Sequence, residues 1–369
     1  MEQDFFTNLP LDINTNILSR LPLRSIAISK CVCKPWLNLL ESNDFEIKTP
    51  PALARVTSNN WLSHCMIFEI EDEEEADLDS HDLHYNRLTD SKIYHGSSIA
   101  GVAANGSLLL LVVVTTYSNP TCCLHICNPI TRKYVYLDLP EAYTCYLSFG
   151  FGLSKISGQY KVVCINTFSG SHHVYTLGTG TWRRLEDGAP SGFNLPSITA
   201  QSALNGNPHW TLRDPKQRMW ICGFDVETEC FSIFSTPPPI DGRGRLNGKL
   251  AALRDCLCYS YTWDDEIVIW LMKEYQVEES WTIEYKLSTT RFGFDKTKIL
   301  YVIPIKIFKD GDILMLMNSN QLIYYSNKTR TTQKIDMFKD ASKKCTFALI
   351  FTPSLLSLES FGIKNVLSF

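Results

Sequence analysis

From residue 85 to residue 335 the chain repeats an aromatic-x-x-apolar signature at a nearly constant interval. It reads Tyr85…Leu88, Tyr134…Leu137, Trp182…Leu185 and Phe231…Phe234, then Trp281…Tyr285 with one residue more, then a degenerate copy at Thr332…Ile335. The aromatic positions lie 49, 48, 49 and 50 residues apart. A second ladder runs out of phase with the first. It consists of Asn105-Gly106, Ser157-Gly158, Asn205-Gly206, Arg254-Asp255 and Asp310-Gly311, each between two apolar, β-branched runs. Such pairs supply the positive φ that a tight hairpin needs. Two ladders with one period describe a single supersecondary unit copied about six times, and a unit of roughly forty to fifty residues built from strands and hairpins is a propeller blade. The expectation is an all-β propeller of six blades. A final strand within Phe347–Leu358 should return to the first blade, because closure removes exposed edges.

The first fifty residues do not share this period. Asp12 can cap a helix, and Ile13, Ile17, Leu18 and Leu21 follow at helical spacing. Pro22 stops that helix and opens a second, with Leu23, Ile26 and Ile28. A third stretch, from about Pro35 to Ser42, puts Trp36, Leu39 and Leu40 on one side. Leu18, Trp36 and Leu40 are expected in the core. Three short helices make a marginal core, so such a module leans on a partner or on the neighbouring domain. The division expected is a helical module over 1–48, a linker over 49–60 and a β domain over 61–369.

Leu9-Pro10-Leu11-Asp12-Ile13, Ile17-Leu18-Ser19-Arg20-Leu21-Pro22, Cys31-Val32-Cys33-Lys34-Pro35-Trp36 and Phe45 together resemble an F-box. The β region is similar to the F-box-associated, kelch-like domain of plant F-box proteins. Asn128-Pro129-Ile130-Thr131-Arg132-Lys133 fits that family's Trp-Asn-Pro-x-Thr-x-Lys turn, with Cys127 in place of the Trp. Phe149-Gly150-Phe151-Gly152, Tyr160-Lys161-Val162-Val163, Gly206…Trp210, Phe224-Asp225 and Ile269-Trp270-Leu271-Met272-Lys273 continue in register, as far as Trp281. The resemblance implies a non-catalytic substrate receptor of an SCF-type cullin–RING ubiquitin ligase. Its F-box would bind a Skp-type adaptor, and its C-terminal domain would recruit a protein for ubiquitination and proteasomal degradation. Two alternatives stay open: an F-box scaffold acting outside a ligase, and a kelch-type propeller enzyme such as a copper oxidase.

On this reading the adaptor would meet an apolar surface of Leu9, Pro10, Ile13, Ile17, Leu21 and Pro22, since a few desolvated side chains carry most of an interface's energy. Trp182, Phe231 and Trp281 are read as packing between blades, because aromatics at a repeated position copy a repeated interface. Recognition would then fall to the non-repeating connections Leu139–Cys145, Gly188–Ser197, Pro237–Asn247 and Tyr261–Asp265. Arg243, Arg245 and Lys249 are the candidate substrate-binding cations, suited to an acidic partner.

Net charge is −1 over residues 1–50, −7 over 51–100 and +4 over 101–369. The acidity is one run, Glu69 to Asp82, expected as a solvated loop of the first blade. The thirteen cysteines form an odd count with no secretory leader, so reduced thiols and residence in the cytoplasm or nucleus are expected. The longest apolar run, Leu108–Val114, is far short of a membrane span. Neither membrane nor nucleic acid is expected as a partner, and no cofactor or metal is expected. Cys31/Cys33, Cys122/Cys123/Cys127 and Cys256/Cys258 lack paired zinc-ligand spacing. On a strand, His172 and His173 would point to opposite faces. The stretch Gly242–Lys249 imitates a phosphate loop with wrong spacing, and Leu250 stands where Ser or Thr should be.

Overall fold

Three short helices open the chain: α1 (Leu11–Ser19), α2 (Leu23–Ser29) and α3 (Lys34–Leu40). The computed structural model describes residues 9–40, 45, 50–58, 62–70, 85–95, 97–115, 122–141, 146–186, 192–238, 248–263, 265–289, 301–319, 321–335 and 345–369. Helix α1 starts one residue before the expected cap. Pro10 holds the cap position at φ −53° and ψ 148°, no side chain caps the helix, and Asp12 falls in its first turn. A carboxylate there faces the positive end of the helix dipole, which is also stabilising. Leu18, Ile26 and Leu40 form the helical core, with Leu21, Trp36, Leu39 and Phe45 around it. Leu355, from the other end of the chain, packs against the same cluster. The small module therefore does lean on its neighbour.

The β region begins with β1 (Ala52–Ser58), β2 (Leu62–Ile70) and β3 (Tyr85–His95). Blade 2 follows as β4 (Ser97–Asn105), β5 (Leu108–Thr115), β6 (Cys122–Asn128) and β7 (Lys133–Leu137). Blade 3 is β8 (Leu147–Leu153), β9 (Tyr160–Asn166), β10 (His172–Thr176) and β11 (Trp182–Leu185). Blade 4 is β12 (Ser202–Leu204), β13 (Asn207–Arg213), β14 (Met219–Phe224) and β15 (Phe231–Ser235). Blade 5 is β16 (Lys249–Leu253), β17 (Cys256–Trp263), β18 (Glu266–Met272) and β19 (Trp281–Ser288). Blade 6 is β20 (Val302–Ile307), β21 (Ile313–Met317), β22 (Gln321–Tyr325) and β23 (Thr332–Lys334). Then β24 (Cys345–Phe351) returns and pairs along the whole of β1, from Ala52↔Phe351 to Ser58↔Cys345. The result is six antiparallel sheets, a six-bladed propeller closed by its last inner strand.

Both sequence ladders acquire a position. Tyr85, Trp182, Phe231, Trp281 and Thr332 begin the outermost strands of their blades, and Tyr134 lies one residue into β7. The five turn pairs join the two innermost strands of blades 2 to 6. Blade 1 has no such turn because its two inner strands come from opposite ends of the chain. For the same reason the segment expected as a linker, 49–60, contains β1, every residue of which is buried. The acidic run beyond Ile70 lies outside the described residues.

The longer fifth copy of the signature is a β-bulge. Pairing of β18 with β19 passes from Ile269↔Tyr285 to Trp270↔Ile283, leaving Glu284 unpaired in the ladder. An extra residue re-aims its side chain, and Glu284 meets the Lys273 ammonium at 3.0 Å and Arg254 at 3.7 Å. The repeated aromatics stitch blades together. Trp182 Nε1 donates to Asp138 O of the blade 2 connection at 2.7 Å, and Trp281 Nε1 donates to Ser235 O of blade 4 at 3.4 Å. Phe231 meets the His172 ring of blade 3 edge-on, centroids 5.8 Å apart. At one Asn-Gly turn the need for glycine is explicit: Gly206 has φ +85°, and an added Cβ would lie 2.0 Å from Leu153 O.

After β24 the chain runs as a strap beneath blades 2 and 3. Thr352 N donates to Gly106 O at 3.1 Å. Buried Asn128, from the Asn-Pro turn, donates through Nδ2 to Ser354 O at 3.1 Å and Leu356 O at 2.9 Å. Leu358 is fully buried in the shared core of those two blades. The strap ends as β25 (Leu367–Ser368), which adds to the edge of β7, and Phe369 stacks on Tyr134 with centroids 4.9 Å apart.

Candidate functional site

The two ends of the propeller differ in what they carry. At one end lie the five inner turns, the start of β1 and the exit of β24, and Leu355 meets the helical core there. At the opposite, far end lie the connections from each outer strand to the next inner strand, together with the middle hairpins. All four expected recognition segments project from this far end: Leu139–Glu141, 192–197, the chain on either side of 239–247, and Tyr261–Trp263 with Asp265. Sequence reasoning selected them singly, and the fold brings them to one face.

Blade 3 builds part of that face on a polar anchor. Asn166 Nδ2 donates to the Glu141 carboxylate at 2.6 Å, the Ser171 hydroxyl donates to the same group, and Asn166 Oδ1 takes the Phe168 and Ser169 N–H groups at 3.0 and 3.1 Å. Burial opposes ionisation of Glu141, but the Ser171 and Asn166 hydrogen bonds and the nearby His173 outweigh it and hold the carboxyl below its usual range. The turn so fixed presents Phe168, 77% exposed, stacked on Tyr146, 48% exposed, with centroids 5.2 Å apart. Neither ring was singled out from sequence, because each is a lone aromatic in a polar connection.

Of the three candidate cations, Arg243 and Arg245 lie outside the described residues. Lys249 is not on a loop; it is the first residue of the inner strand β16, half-buried, with Nζ 5.2 Å from the centroid of the Tyr301 ring. Leu250 continues that strand, so no helix follows the phosphate-loop imitation. His172 turns inward against Phe231, and burial, with a smaller push from His173, lowers its pKa to about 4. His173 faces Glu141 at 3.7 Å, so the pair does point to opposite faces. Among the described residues no group of three or more His, Cys, Asp or Glu is placed to hold a metal. Among them also, no helix is long and apolar enough to cross a membrane.

In the helical module, Pro10 and Pro22 are exposed, Ile13 is 42% and Ile17 45% exposed, and Leu9 is half-buried. Leu21, grouped with them from sequence, packs against the helical core instead. Leu11, Ile28 and Val32 join the exposed apolar set. Ile28 shares the second helix with Ile26. Two residues apart on a helix point to nearly opposite sides, and Ile26 took the inward place.

The chain is similar to known proteins over almost its whole length. The family described as F-box associated beta propeller domain matches residues 56–353, and the F-box domain family matches residues 6–48. F-box protein At3g07870 of Arabidopsis thaliana is 26% identical, over 90% of this chain and 87% of its own length. F-box protein CPR1 of the same plant is 25% identical, over 97% and 91%. F-box/kelch-repeat protein At3g23880 is 26% identical, over 74% and 78%.

Proposed function

Because the chain belongs to the plant-type F-box proteins that carry an F-box associated β-propeller, a family of substrate adaptors, we propose that it is the substrate receptor of an SCF ubiquitin ligase. The F-box binds a Skp-type adaptor through the exposed apolar side chains of α1 and its flanks, and the adaptor brings the cullin and RING subunits. The propeller recruits a target protein for ubiquitination and degradation. The observation that carries this reading is the placement of the two surfaces. Exposed apolar side chains are on the helical module, and the non-repeating connections project from the end of the propeller that the module does not occupy. Lys249 begins its strand at that far end, and we assign it, together with Arg243 and Arg245, to the target.

The receptor supplies no reacting group on this mechanism. It holds the target beside the ubiquitin-charged conjugating enzyme, which raises the effective concentration of target lysines. The protein acts in the cytoplasm or nucleus, where adaptors and targets meet. Replacing Leu9, Pro10 and Ile17 together by Ala tests the adaptor half. Each truncation at such an interface costs about 1–4 kcal/mol. The triple variant should therefore lose co-purification with the adaptor while the propeller melts as before. Undiminished co-purification would remove the basis of the reading.

A further inference from the structure

Lys161 shows how this fold treats a buried ammonium. Its Nζ sits 2.8 Å from Val226 O and 3.0 Å from the Glu229 carboxylate. Lys249 lies at the far-end mouth of the central channel with its side chain half-buried, and burial lowers its proton affinity. Among the described residues no carboxylate pairs with it, and its contact is the face of Tyr301. A desolvated cation without a counter-charge is costly, and the cost is relieved when an anion arrives.

The seat is built rather than incidental. Tyr301 is held at both backbone atoms by Asn318, its N–H donating to Asn318 Oδ1 at 2.9 Å and its carbonyl accepting from Asn318 N at 2.9 Å. The chain reaches Lys249 through Gly248, whose N–H donates to the Tyr259 hydroxyl at 3.0 Å and where an added Cβ would lie 2.1 Å from the Tyr259 ring. Tyr259 packs on the blade 4 side while Lys249 reaches Tyr301 of blade 6, so the buried phenol fixes the backbone from which the lysine extends. The channel behind them has a cavity of about 130 Å³ lined by Ala103, Ala203, Ala251 and Ala348, too narrow for a folded partner, so a ligand's charged tip is what the mouth can take. The net charge of +4 over residues 101–369 agrees in sign.

We propose that the Lys249–Tyr301 seat receives an anionic side chain of the recruited protein. That side chain is a carboxylate of an acidic run or a phosphorylated residue. The proposal rests on the receptor reading and names the class of target.

The test uses the full chain bound to its adaptor and two fluorescent peptides of Gly-Ser background, one with a central Glu run and one with a central phosphoserine. Anisotropy titration at low and high salt should show binding of at least one peptide, weakened by salt. Lys249→Gln should lower its affinity about tenfold or more, as loss of a charge-assisted contact does. Lys249→Arg should retain most of it, and Lys216→Gln, an exposed lysine of the same end, should leave it unchanged. Binding of the Glu peptide, the phosphoserine peptide or both identifies the source of the anion. Absence of binding for both, or equal binding by Lys249→Gln with an unchanged melting curve, overturns the proposal. In that event intact adaptor binding would leave the receptor reading standing.

Discussion

A chain ended at residue 344 should lose cooperative unfolding of the propeller altogether. Its missing part includes β24, which pairs with β1 at all seven positions from Ala52↔Phe351 to Ser58↔Cys345. Without it, an inner strand whose Ala52, Leu53, Ala54 and Val56 are wholly buried would face water along an open edge. Such an edge is a template for aggregation. The strap would go as well, and with it Leu358 from the core of blades 2 and 3. Calorimetry and size-exclusion chromatography should show a broad or absent transition and self-association. A peptide of residues 345–369 added during refolding should restore part of the transition, because strand addition does not require covalent continuity. A truncated chain that stayed monomeric and melted like the full one would show that closure contributes little.

The second large effect concerns the stitching aromatics, where the sequence and the structure rank residues differently. By repeat position Trp182 and Trp281 are equivalent. In the structure Trp281 is 6% exposed and packs with Phe234, Tyr259, Tyr261 and Trp270, whereas Trp182 is half-buried at the margin of its cluster. Replacing Trp281 by Ala should cost roughly 3–5 kcal/mol, as deletion of a core aromatic does. The Trp182→Ala cost should be clearly smaller, about 1–3 kcal/mol, since less area is lost and the chief loss is one donor to Asp138 O. Urea unfolding of the two variants decides the order. Equal costs would mean that the repeat position, not local burial, sets the contribution.

Much of the fold was legible because it is periodic. The aromatic at the head of each outer strand and the turn between inner strands recur, so the blade could be counted before it was seen. Even the irregular copy at Trp281…Tyr285 carried information, since its additional residue is the bulged Glu284. What escaped notice is what occurs once. The strand at 52–58 lacked a preceding turn, its inner neighbour being nearly three hundred residues away in the chain. The strap escaped for the same reason, as Asn128 gives no sign that its side chain will hold Ser354 and Leu356. In the candidate site, Lys249 was found by charge but placed on a loop. Tyr301 could not be joined to it, because their meeting depends on blades 5 and 6 coming side by side. Leu21 went to the core rather than the surface because helices of seven to nine residues leave the inward direction to tertiary contacts.

The joining of both chain ends in blade 1 bears on the order in which the protein comes into being. Translation delivers the helical module before the blades, and β24 after all the other inner strands. During synthesis, the part that would engage the adaptor is available well before the ring can shut. A message cut short, or a ribosome stalled before residue 345, would release an F-box attached to an unclosed array of blades. The ring, and the far end it organises, is therefore complete only once β24 has been made.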